Sequence, residues 1–241
     1  MIEAGFVLIG GVAVTKPAYD VMGDPSIEVT AKPPKYVGRG GEKLEAALEL
    51  FSVSPQGLSA LDIGASTGGF TDCLLQHGAR HVVAIDAGVG QLHPSLVSNK
   101  CVTNVEKYNA RNLSPADVGV HDLAVMDVSF ISQTLILPKI PAVLSAGGRL
   151  ISLIKPQFEA GRGALNKKGI VTEPRHRVAA VARVLEAAAN AGLYCLGLAP
   201  SPILGGDGNE EFLACFEVRE GTLNNCHIQI EKTVMKREVT F

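Results

Sequence analysis

Residues 61–70 read Leu61-Asp62-Ile63-Gly64-Ala65-Ser66-Thr67-Gly68-Gly69-Phe70, and this stretch decides the fold. The apolar run from Leu58 to Ile63 predicts a strand, and the segment from Phe70 to His77 has a helical pattern that Gly78 stops. A glycine-rich turn therefore joins a strand to a helix. In an open α/β sheet this turn lies at the carboxyl end of the strand, where nucleotides bind.

Strands and helices alternate along the rest of the chain. Before the glycine-rich turn, a helix from Glu42 places four apolar side chains on one face: Leu44, Ala47, Leu48 and Phe51. After it, the predicted strands are 81–85, 101–105, 123–126, 149–154, 193–198 and 212–218, and the predicted helices are 132–144 and a longer one from its N-cap Thr172 to Ala191. This order predicts an α/β fold, a Rossmann-like, mostly parallel sheet covered by helices, with an antiparallel last strand.

The chain divides into four predicted segments. Residues 1–30 contain a hairpin turned by Gly10-Gly11 and a third short strand at Ile27–Val29, too little to bury a core alone. Residues 31–41 form a proline-containing linker, residues 42–218 form the main domain, and residues 219–241 form a tail or an added strand.

Composition excludes several classes of protein. The chain has 241 residues, of which 46% are hydrophobic and 19% charged, so it is neither disordered nor collagen-like. No apolar run is long enough to span a membrane and no secretory signal is visible, so we expect no membrane partner. Five cysteines without a C-x-x-C pair argue against a disulfide framework and a metal site, and favour a reducing cytoplasm.

The net charge of −2 hides an uneven distribution. Residues 155–183 carry seven Lys or Arg residues against two acids. Such a cluster is typical of a nucleic-acid interface, but a solvated face accounts for it equally well.

Three kinds of site compete for the glycine-rich turn. A dinucleotide fingerprint requires glycine where Ser66 stands, and so fails. Gly64-Ala65-Ser66-Thr67-Gly68 matches the G-x-S-x-G nucleophile elbow of a serine hydrolase. Its partners would be Asp127 or Asp207 and a histidine, His176 or His227. The third kind is an S-adenosylmethionine (SAM) site, in which Asp86, at the end of the second strand, takes the ribose hydroxyls. An acid at that position has little use in a hydrolase.

Two strands end in charged residues, Asp127 and Lys155. A charge that follows a buried strand is partly desolvated and needs a partner, so a structural salt bridge is one interpretation. The other is a catalytic lysine, because burial and a second nearby cation favour its neutral form, which can act as a base. Lys43 and Glu211 qualify for the same cluster.

Five blocks of sequence resemble the hemolysin-A (TlyA) family of ribosomal RNA 2′-O-ribose methyltransferases, which carry an FtsJ-like catalytic domain. In chain order they are 36–44 (YVGRGGEKL), 62–72 (DIGASTGGFTD), 127–131 (DVSFI), 154–159 (IKPQFE) and 208–212 (GNEEF). The resemblance implies a SAM-dependent enzyme that acts on ribosomal RNA or a ribosomal subunit. It also implies that residues 1–30 are part of an S4-type RNA-binding domain. The oligomeric state is not indicated.

The resemblance also implies the site residues. The catalytic tetrad would be Lys43, Asp127, Lys155 and Glu211, with Lys155 as the base. The glycine-rich turn and the end of the second strand give the cofactor residues Gly64, Ser66, Gly68, Gly69 and Asp86, and Asn109 is added because Tyr108-Asn109-Ala110-Arg111 resembles the family's Thr-Asn-Val-Arg. The basic stretch, together with Arg39, predicts that Arg162, Lys167 and Lys168 contact RNA phosphates. A non-catalytic RNA-binding protein is the alternative. The family name also suggests a pore-forming toxin, but the sequence shows no membrane-spanning segment.

Overall fold

The computed structural model describes residues 2, 5–30, 34–206, 208–219 and 228–241. The chain forms two compact units, Met1–Lys35 and Tyr36–Phe241. The boundary between the units therefore falls inside the predicted linker 31–41, and residues 36–41 belong to the large unit. No helix in the described residues is long and apolar enough to cross a membrane.

The N-terminal unit is a three-stranded antiparallel sheet of β1 (Val7–Ile9), β2 (Val12–Val14) and β3 (Ile27–Val29), in the order β2-β1-β3. The predicted hairpin is confirmed, since Ile9 pairs with Val12 across a two-residue turn. Gly10 and Gly11 both have positive φ, +58° and +81°, as a type I′ turn requires. The S4-type assignment of this unit stays a prediction.

The large unit alternates strands and helices. Its strands are β4 (Ser59–Ile63), β5 (His81–Ile85), β6 (Val102–Val105), β7 (His121–Met126), β8 (Leu144–Ile154), β9 (Leu193–Pro200) and β10 (Phe212–Val218). Its helices are α1 (Gly40–Leu50), α2 (Gly69–Gln76), α3 (Pro94–Val97), α4 (Pro115–Val118), α5 (Ile140–Val143), α6 (Pro156–Glu159), α7 (Pro174–Asn190) and α8 (Ile230–Lys236).

These strands form one seven-stranded sheet in the order β6-β5-β4-β7-β8-β10-β9. The strands from β6 to β8 are parallel, and β10 is antiparallel to both of its neighbours. The predicted α/β fold with a mostly parallel sheet and an antiparallel last strand is confirmed. Because β5 lies on one side of β4 and β7 on the other, the strand order reverses there, which places the ligand crevice at the carboxyl ends of β4 and β7.

Apolar side chains cover both faces of the sheet. One cluster includes Leu61 of β4 and Val181 of α7, and the other includes Leu44 of α1 and Leu74 of α2. The predicted apolar face of α1 is confirmed, because Leu44, Ala47, Leu48 and Phe51 all lie in the second cluster. This packing fixes α1 beside the carboxyl end of the sheet.

Two predicted helices differ from the structure. The segment 132–144 contains two 3₁₀ turns, 133–135 and 137–139, and the four-residue α5, because Pro138 and Pro141 have no N–H to continue a helix. Thr172 is not the N-cap of α7. Glu173 occupies that position, since Pro174 is pre-organised for the first helical residue.

The C-terminal segment packs on the large unit. Helix α8 lies against α7 and β9, and Thr240 pairs with Leu198 at the edge of the sheet. Phe241 makes an edge contact with Phe51 of α1, the ring centroids being 6.5 Å apart. The described part of segment 219–241 thus contributes a helix and one bridge to the sheet edge.

Candidate active site

Two cavities open at the carboxyl ends of β4, β5 and β7, and they share Gly64. The larger, of 520 Å³, is lined by residues of the loops after β5 and β7 together with segment 107–111. The smaller, of 140 Å³, is lined by the glycine-rich turn, Gly40, Phe70 and Asp127. The crevice expected at the reversal of strand order is therefore present.

The glycine-rich turn passes so close to its neighbours that side chains are excluded. Gly64 has a φ of +85°, and a Cβ added there would lie 2.8 Å from the carbonyl oxygen of Asp127. A Cβ added at Gly69 would lie 3.0 Å from the carbonyl oxygen of Gly38. The backbone of the turn, rather than its side chains, therefore forms the floor of the smaller cavity.

Asp86 is held rigidly at the rim of the larger cavity. Its Oδ2 accepts a hydrogen bond of 2.8 Å from the Ser66 N–H, and its Oδ1 accepts one of 2.7 Å from the Gly88 N–H. Asn109 lines the same cavity, and its Oδ1 accepts from the Arg111 N–H at 3.1 Å. The predicted cofactor residues thus gather at the two cavities, except Gly68, which lines neither and instead lies against Leu92 and Leu96.

Lys155 and Asp127 form an ion pair at the ends of the adjacent strands β8 and β7. The distance from Lys155 Nζ to Asp127 Oδ1 is 2.7 Å, and Nζ also donates to Ser129 Oγ at 2.8 Å. Only 11% of the Lys155 side-chain surface is exposed to solvent. Its ammonium group is therefore oriented by two acceptors on the loop after β7.

Lys43 and Glu211 form a second, more deeply buried ion pair. Their closest atoms, Lys43 Nζ and Glu211 Oε2, are 2.6 Å apart, with side-chain exposures of 8% and 3%. Gln157 donates from Nε2 to Glu211 Oε1 at 3.2 Å. Glu211 precedes Phe212, which pairs with Ile154, so the antiparallel register places Glu211 beside Lys155.

Comparison with known proteins identifies the large unit. A family described as FtsJ-like methyltransferase matches residues 36–218. The chain belongs to this family. It is 41% identical over 214 residues to the 16S/23S rRNA (cytidine-2′-O)-methyltransferase TlyA of Mycobacterium tuberculosis, which covers 88% of this chain and 80% of the relative.

Solved structures agree with this assignment. A structure from Streptococcus thermophilus named as a hemolysin superposes with a TM-score of 0.85 and 40% identity, covering 98% of this chain and 87% of its own. A SAM-dependent methyltransferase from Mesorhizobium loti, 17% identical, shares the fold with a TM-score of 0.53 over 73% of this chain and 97% of its own. The chain is an FtsJ-like methyltransferase, and its cofactor is SAM.

The residues of this FtsJ-like domain fit SAM. The ribose of SAM carries two neighbouring hydroxyl groups, and a fixed carboxylate such as Asp86 can accept hydrogen bonds from them in the larger cavity. Beneath the glycine-rich turn, Asp62 on β4 is fully buried, and its Oδ2 accepts a hydrogen bond from Thr71 Oγ1 at 2.7 Å. Its Oδ1 has no partner among the described residues. Asp62 lines neither cavity; the groups that fit the cofactor are the Asp86 carboxylate and the backbone of the glycine-rich turn.

Burial raises the pKa of the Asp62 carboxyl to about 7, and the hydrogen bond from Thr71 opposes this only partly. The folded chain therefore holds a proton that the unfolded chain releases between about pH 4 and pH 7, so stability falls as pH rises through this window. We expect Asp62→Asn to remove this loss and to be more stable than the wild type at pH 8 by up to about 4 kcal/mol. Urea unfolding of both proteins at pH 4.5, 6 and 8 measures the difference in the free energy of unfolding. A difference that stays the same at all three pH values would contradict the raised pKa of Asp62.

Sequence reasoning missed three side chains of the site: Ser129, Phe130 and Gln157. Phe130 is 92% exposed and has a φ of +63°, unusual for an aromatic residue. Its ring lies 5.2 Å from that of Phe158, between centroids. All three belong to the blocks DVSFI and IKPQFE. The sequence does not show which side chains of these blocks lie near the two ion pairs, because that depends on the loop conformation.

The predicted RNA residues are exposed. Arg39 lies at the start of α1, and Arg162, Lys167 and Lys168 lie on the segment 161–169. The buried Asn209 fixes this segment, because its Oδ1 accepts from the Val171 N–H and its Nδ2 donates to the Gly169 carbonyl.

The serine-hydrolase interpretation is wrong for an FtsJ-like methyltransferase. Ser66 contributes its backbone N–H to Asp86, and in the hydrogen bonds of the described residues its hydroxyl has no histidine partner. Asp207 and His227, two of the proposed triad partners, lie outside the described residues. The described residues also contain no cluster of three metal-binding side chains.

Proposed function

We propose that this chain transfers the methyl group of SAM to a ribose 2′-hydroxyl of ribosomal RNA. The observation that carries the proposal is the placement of Lys155 Nζ between Asp127 Oδ1, which lines the smaller cavity, and Ser129 Oγ, whose residue lines the larger one. The 2′-O-methyltransferase named above, with 41% identity, supports ribose in ribosomal RNA as the substrate.

Lys155 is the base in this proposal. A neutral amine has two N–H groups and one lone pair; one N–H donates to Ser129 Oγ at 2.8 Å, and the ion-pair contact of 2.7 Å with Asp127 Oδ1 fixes the side of the amine that faces the carboxylate. The lone pair then points away from these two side chains, free to accept the proton of the ribose hydroxyl. SAM, when bound, supplies an electrophilic methyl group on a sulfonium. Transfer of that methyl group would break its carbon–sulfur bond and leave a neutral thioether, while Lys155 Nζ would accept the proton that the ribose hydroxyl gives up.

The Lys43–Glu211 pair keeps the neighbouring strand end in place. Glu211 accepts from both Lys43 and Gln157, and Gln157 is the second residue of α6, two residues after Lys155. These contacts tie α1, α6 and the start of β10 together around the reacting hydroxyl. Holding the oxygen in line with the methyl group is the larger part of such catalysis, since alignment is worth about 7–11 kcal/mol.

Phe130 supplies a flat apolar surface beside the base. Single-stranded RNA is recognised chiefly by stacking of its bases on aromatic rings. The Phe130 ring is 92% exposed and lies on the same loop as Ser129, which accepts a hydrogen bond from Lys155 Nζ. It is therefore placed to stack a nucleobase whose ribose reaches Nζ. Arg39, Arg162, Lys167 and Lys168 contact phosphates in this proposal, and the N-terminal unit acts as an S4-type RNA contact.

Ribosomal RNA or a ribosomal subunit is therefore the proposed partner, and the cytoplasm the proposed location. The tetrad Lys43, Asp127, Lys155 and Glu211 and the cofactor residues Gly64, Ser66, Gly68, Gly69, Asp86 and Asn109 remain part of this proposal. The main domain in this proposal begins at Tyr36 and not at the predicted residue 42.

Incubation with methyl-labelled SAM and ribosomal subunits tests the function. We expect label in 2′-O-methylated nucleosides after digestion, and none in a matched RNA whose target nucleotide is 2′-deoxy. Titration calorimetry with SAM runs in parallel. RNA binding without SAM binding would favour the non-catalytic RNA-binding alternative, and ester cleavage lost in Ser66→Ala would favour a hydrolase.

The basic segment gives a separate prediction. The triple variant R162Q/K167Q/K168Q should weaken RNA binding and lower the slope of log K against log salt by up to about 2, because about 0.7 counterions are released per phosphate of a single strand. SAM affinity should stay unchanged.

The matched control is R80Q/K100Q/K139Q, which removes three exposed positive charges near the amino ends of β5, β6 and β8. Equal salt slopes for the two triple variants would show that general charge, and not this segment, attracts RNA.

A further inference from the structure

A buried carboxylate joins the two loops that carry the Lys155–Asp127 pair. Glu159, the last residue of α6, is only 2% exposed. Its Oε2 accepts from Ser132 Oγ at 2.6 Å and its Oε1 accepts from the Gln133 N–H at 2.8 Å. Both donors lie at the end of the loop after β7, whereas Glu159 follows β8. The carboxylate therefore clamps one loop to the other.

A second layer of hydrogen bonds anchors this clamp to the sheet. The Gln133 side chain, 1% exposed, donates to the Leu153 carbonyl at 2.6 Å and accepts from Ser152 Oγ at 2.7 Å. Arg183 of α7 donates to the Glu159 backbone carbonyl at 2.6 Å. The clamp is thus fixed to both β8 and α7, and neither loop can shift without breaking it.

The clamped loop is short and carries much of the site. It begins at Asp127, whose N–H donates to the Ile63 carbonyl at 3.0 Å, and it ends at Ser132. Between these ends lie Ser129 and Phe130, the latter in a backbone conformation that persists only where the surroundings impose it. With both ends tied, the loop has one arrangement that presents the Lys155 acceptor and the exposed ring together.

Fold stability alone does not account for a carboxylate here. Burial raises the pKa of the Glu159 carboxyl above its usual value, and the hydrogen bonds from Ser132 and Gln133 offset this only partly. A buried ionisable group without compensating advantage is ordinarily replaced by an apolar one, because desolvation of a charge is costly. What the carboxylate provides is two strong acceptors, matched to two donors of one loop.

We propose that Glu159 is a positioning residue for methyl transfer, which holds the 128–132 loop so that Ser129 and Asp127 orient Lys155. This inference rests on the proposed function. Glu159 itself touches neither cofactor nor RNA; it acts through the loop. A glutamine at this position can still accept from the Gln133 N–H, but it loses the charge-assisted bond from Ser132 Oγ, whose hydroxyl would have to turn and accept from the glutamine NH₂ instead.

The experiment compares single-turnover methylation by the wild type, E159Q, S132A and the matched control E186Q, which neutralises an exposed glutamate on α7. We expect the rate at saturating SAM and RNA to fall about 10–100-fold in E159Q and less in S132A, with the KM for RNA within about threefold. E186Q should match the wild type. Rates are referred to the folded fraction, measured by thermal unfolding.

A reporter on the loop separates positioning from a general loss of fold. The chain contains no tryptophan, so F130W places a single fluorophore on the loop. The anisotropy of its emission should be lower in F130W/E159Q than in F130W alone, at equal folded fraction, because a loop released at one end reorients more freely. If E159Q does not fold, S132A carries the same comparison.

Two results have different meanings. A wild type that does not methylate RNA would overturn the proposed function. A methylating wild type with E159Q or S132A rates within about twofold of it, or with unchanged anisotropy, would overturn only the role of Glu159.

Discussion

Lys155→Ala is expected to lower the rate of methyl transfer by about 10²–10⁴-fold, the range associated with loss of a general base. The variant loses the amine that accepts the hydroxyl proton and leaves Asp127 without its cation. SAM affinity should change little, because Lys155 lines neither of the two cavities. Single-turnover methylation and calorimetry with SAM measure the two quantities separately.

Lys155→Arg distinguishes a base from a fixed positive charge. Arginine keeps the charge and can pair with Asp127 in place of the lysine, but it does not release its proton in proteins. If Lys155 accepts a proton, the arginine variant should be nearly as inactive as the alanine variant while retaining more of the wild-type stability. Arginine activity close to that of the wild type would show that Lys155 acts electrostatically.

Much of the fold could be predicted from local patterns. Short continuous apolar runs that alternate with helical segments indicate a buried parallel sheet without any knowledge of long-range contacts. The glycine-rich turn after the first strand of the main domain then places the crevice, and charged residues at strand ends follow from the same geometry. For that reason Asp86, Asp127 and Lys155 were predictable. Asp86 and Asp127 line the two cavities, and Lys155 is the ion-pair partner of Asp127.

The finer parts of the site depend on loop conformation, which local patterns do not encode. Ser129 reaches Lys155 and Phe130 projects outward only because the loop after β7 is tied at both ends. The sequence alone predicts Glu159 to be an exposed acid within a basic segment, yet its side chain is almost fully buried. Its partners lie 26 and 27 residues away, a separation that no period reveals.

Local charge was similarly overestimated from sequence. Of the seven basic residues in 155–183, three are engaged inside the large unit: Lys155 with Asp127, Arg177 with Glu210, and Arg183 with the Glu159 carbonyl. The predicted RNA contacts Arg162, Lys167 and Lys168 are exposed and can serve RNA. Counting charges therefore locates the right segment but overstates its free charge.

The pair of Lys43 and Glu211 gives the largest expected effect on stability. Glu211→Leu leaves the Lys43 ammonium buried without its carboxylate, and breaking a buried pair in this way costs about 3–5 kcal/mol. For a domain of this size the melting temperature should fall by roughly 6–20 °C. Methyl transfer should be lost as well. Thermal unfolding and single-turnover assays at a temperature where the variant is folded measure both.

The double variant Lys43→Met/Glu211→Leu separates stability from catalysis. Apolar side chains of similar size remove both buried charges, and such replacements are often neutral or stabilising. We therefore expect the melting temperature to return to within a few degrees of the wild type while activity stays low. Recovery of activity along with stability would mean that the pair only supports the fold. Stability without activity would mean that the two charges are kept, despite the cost of burying them, for what they do beside Lys155.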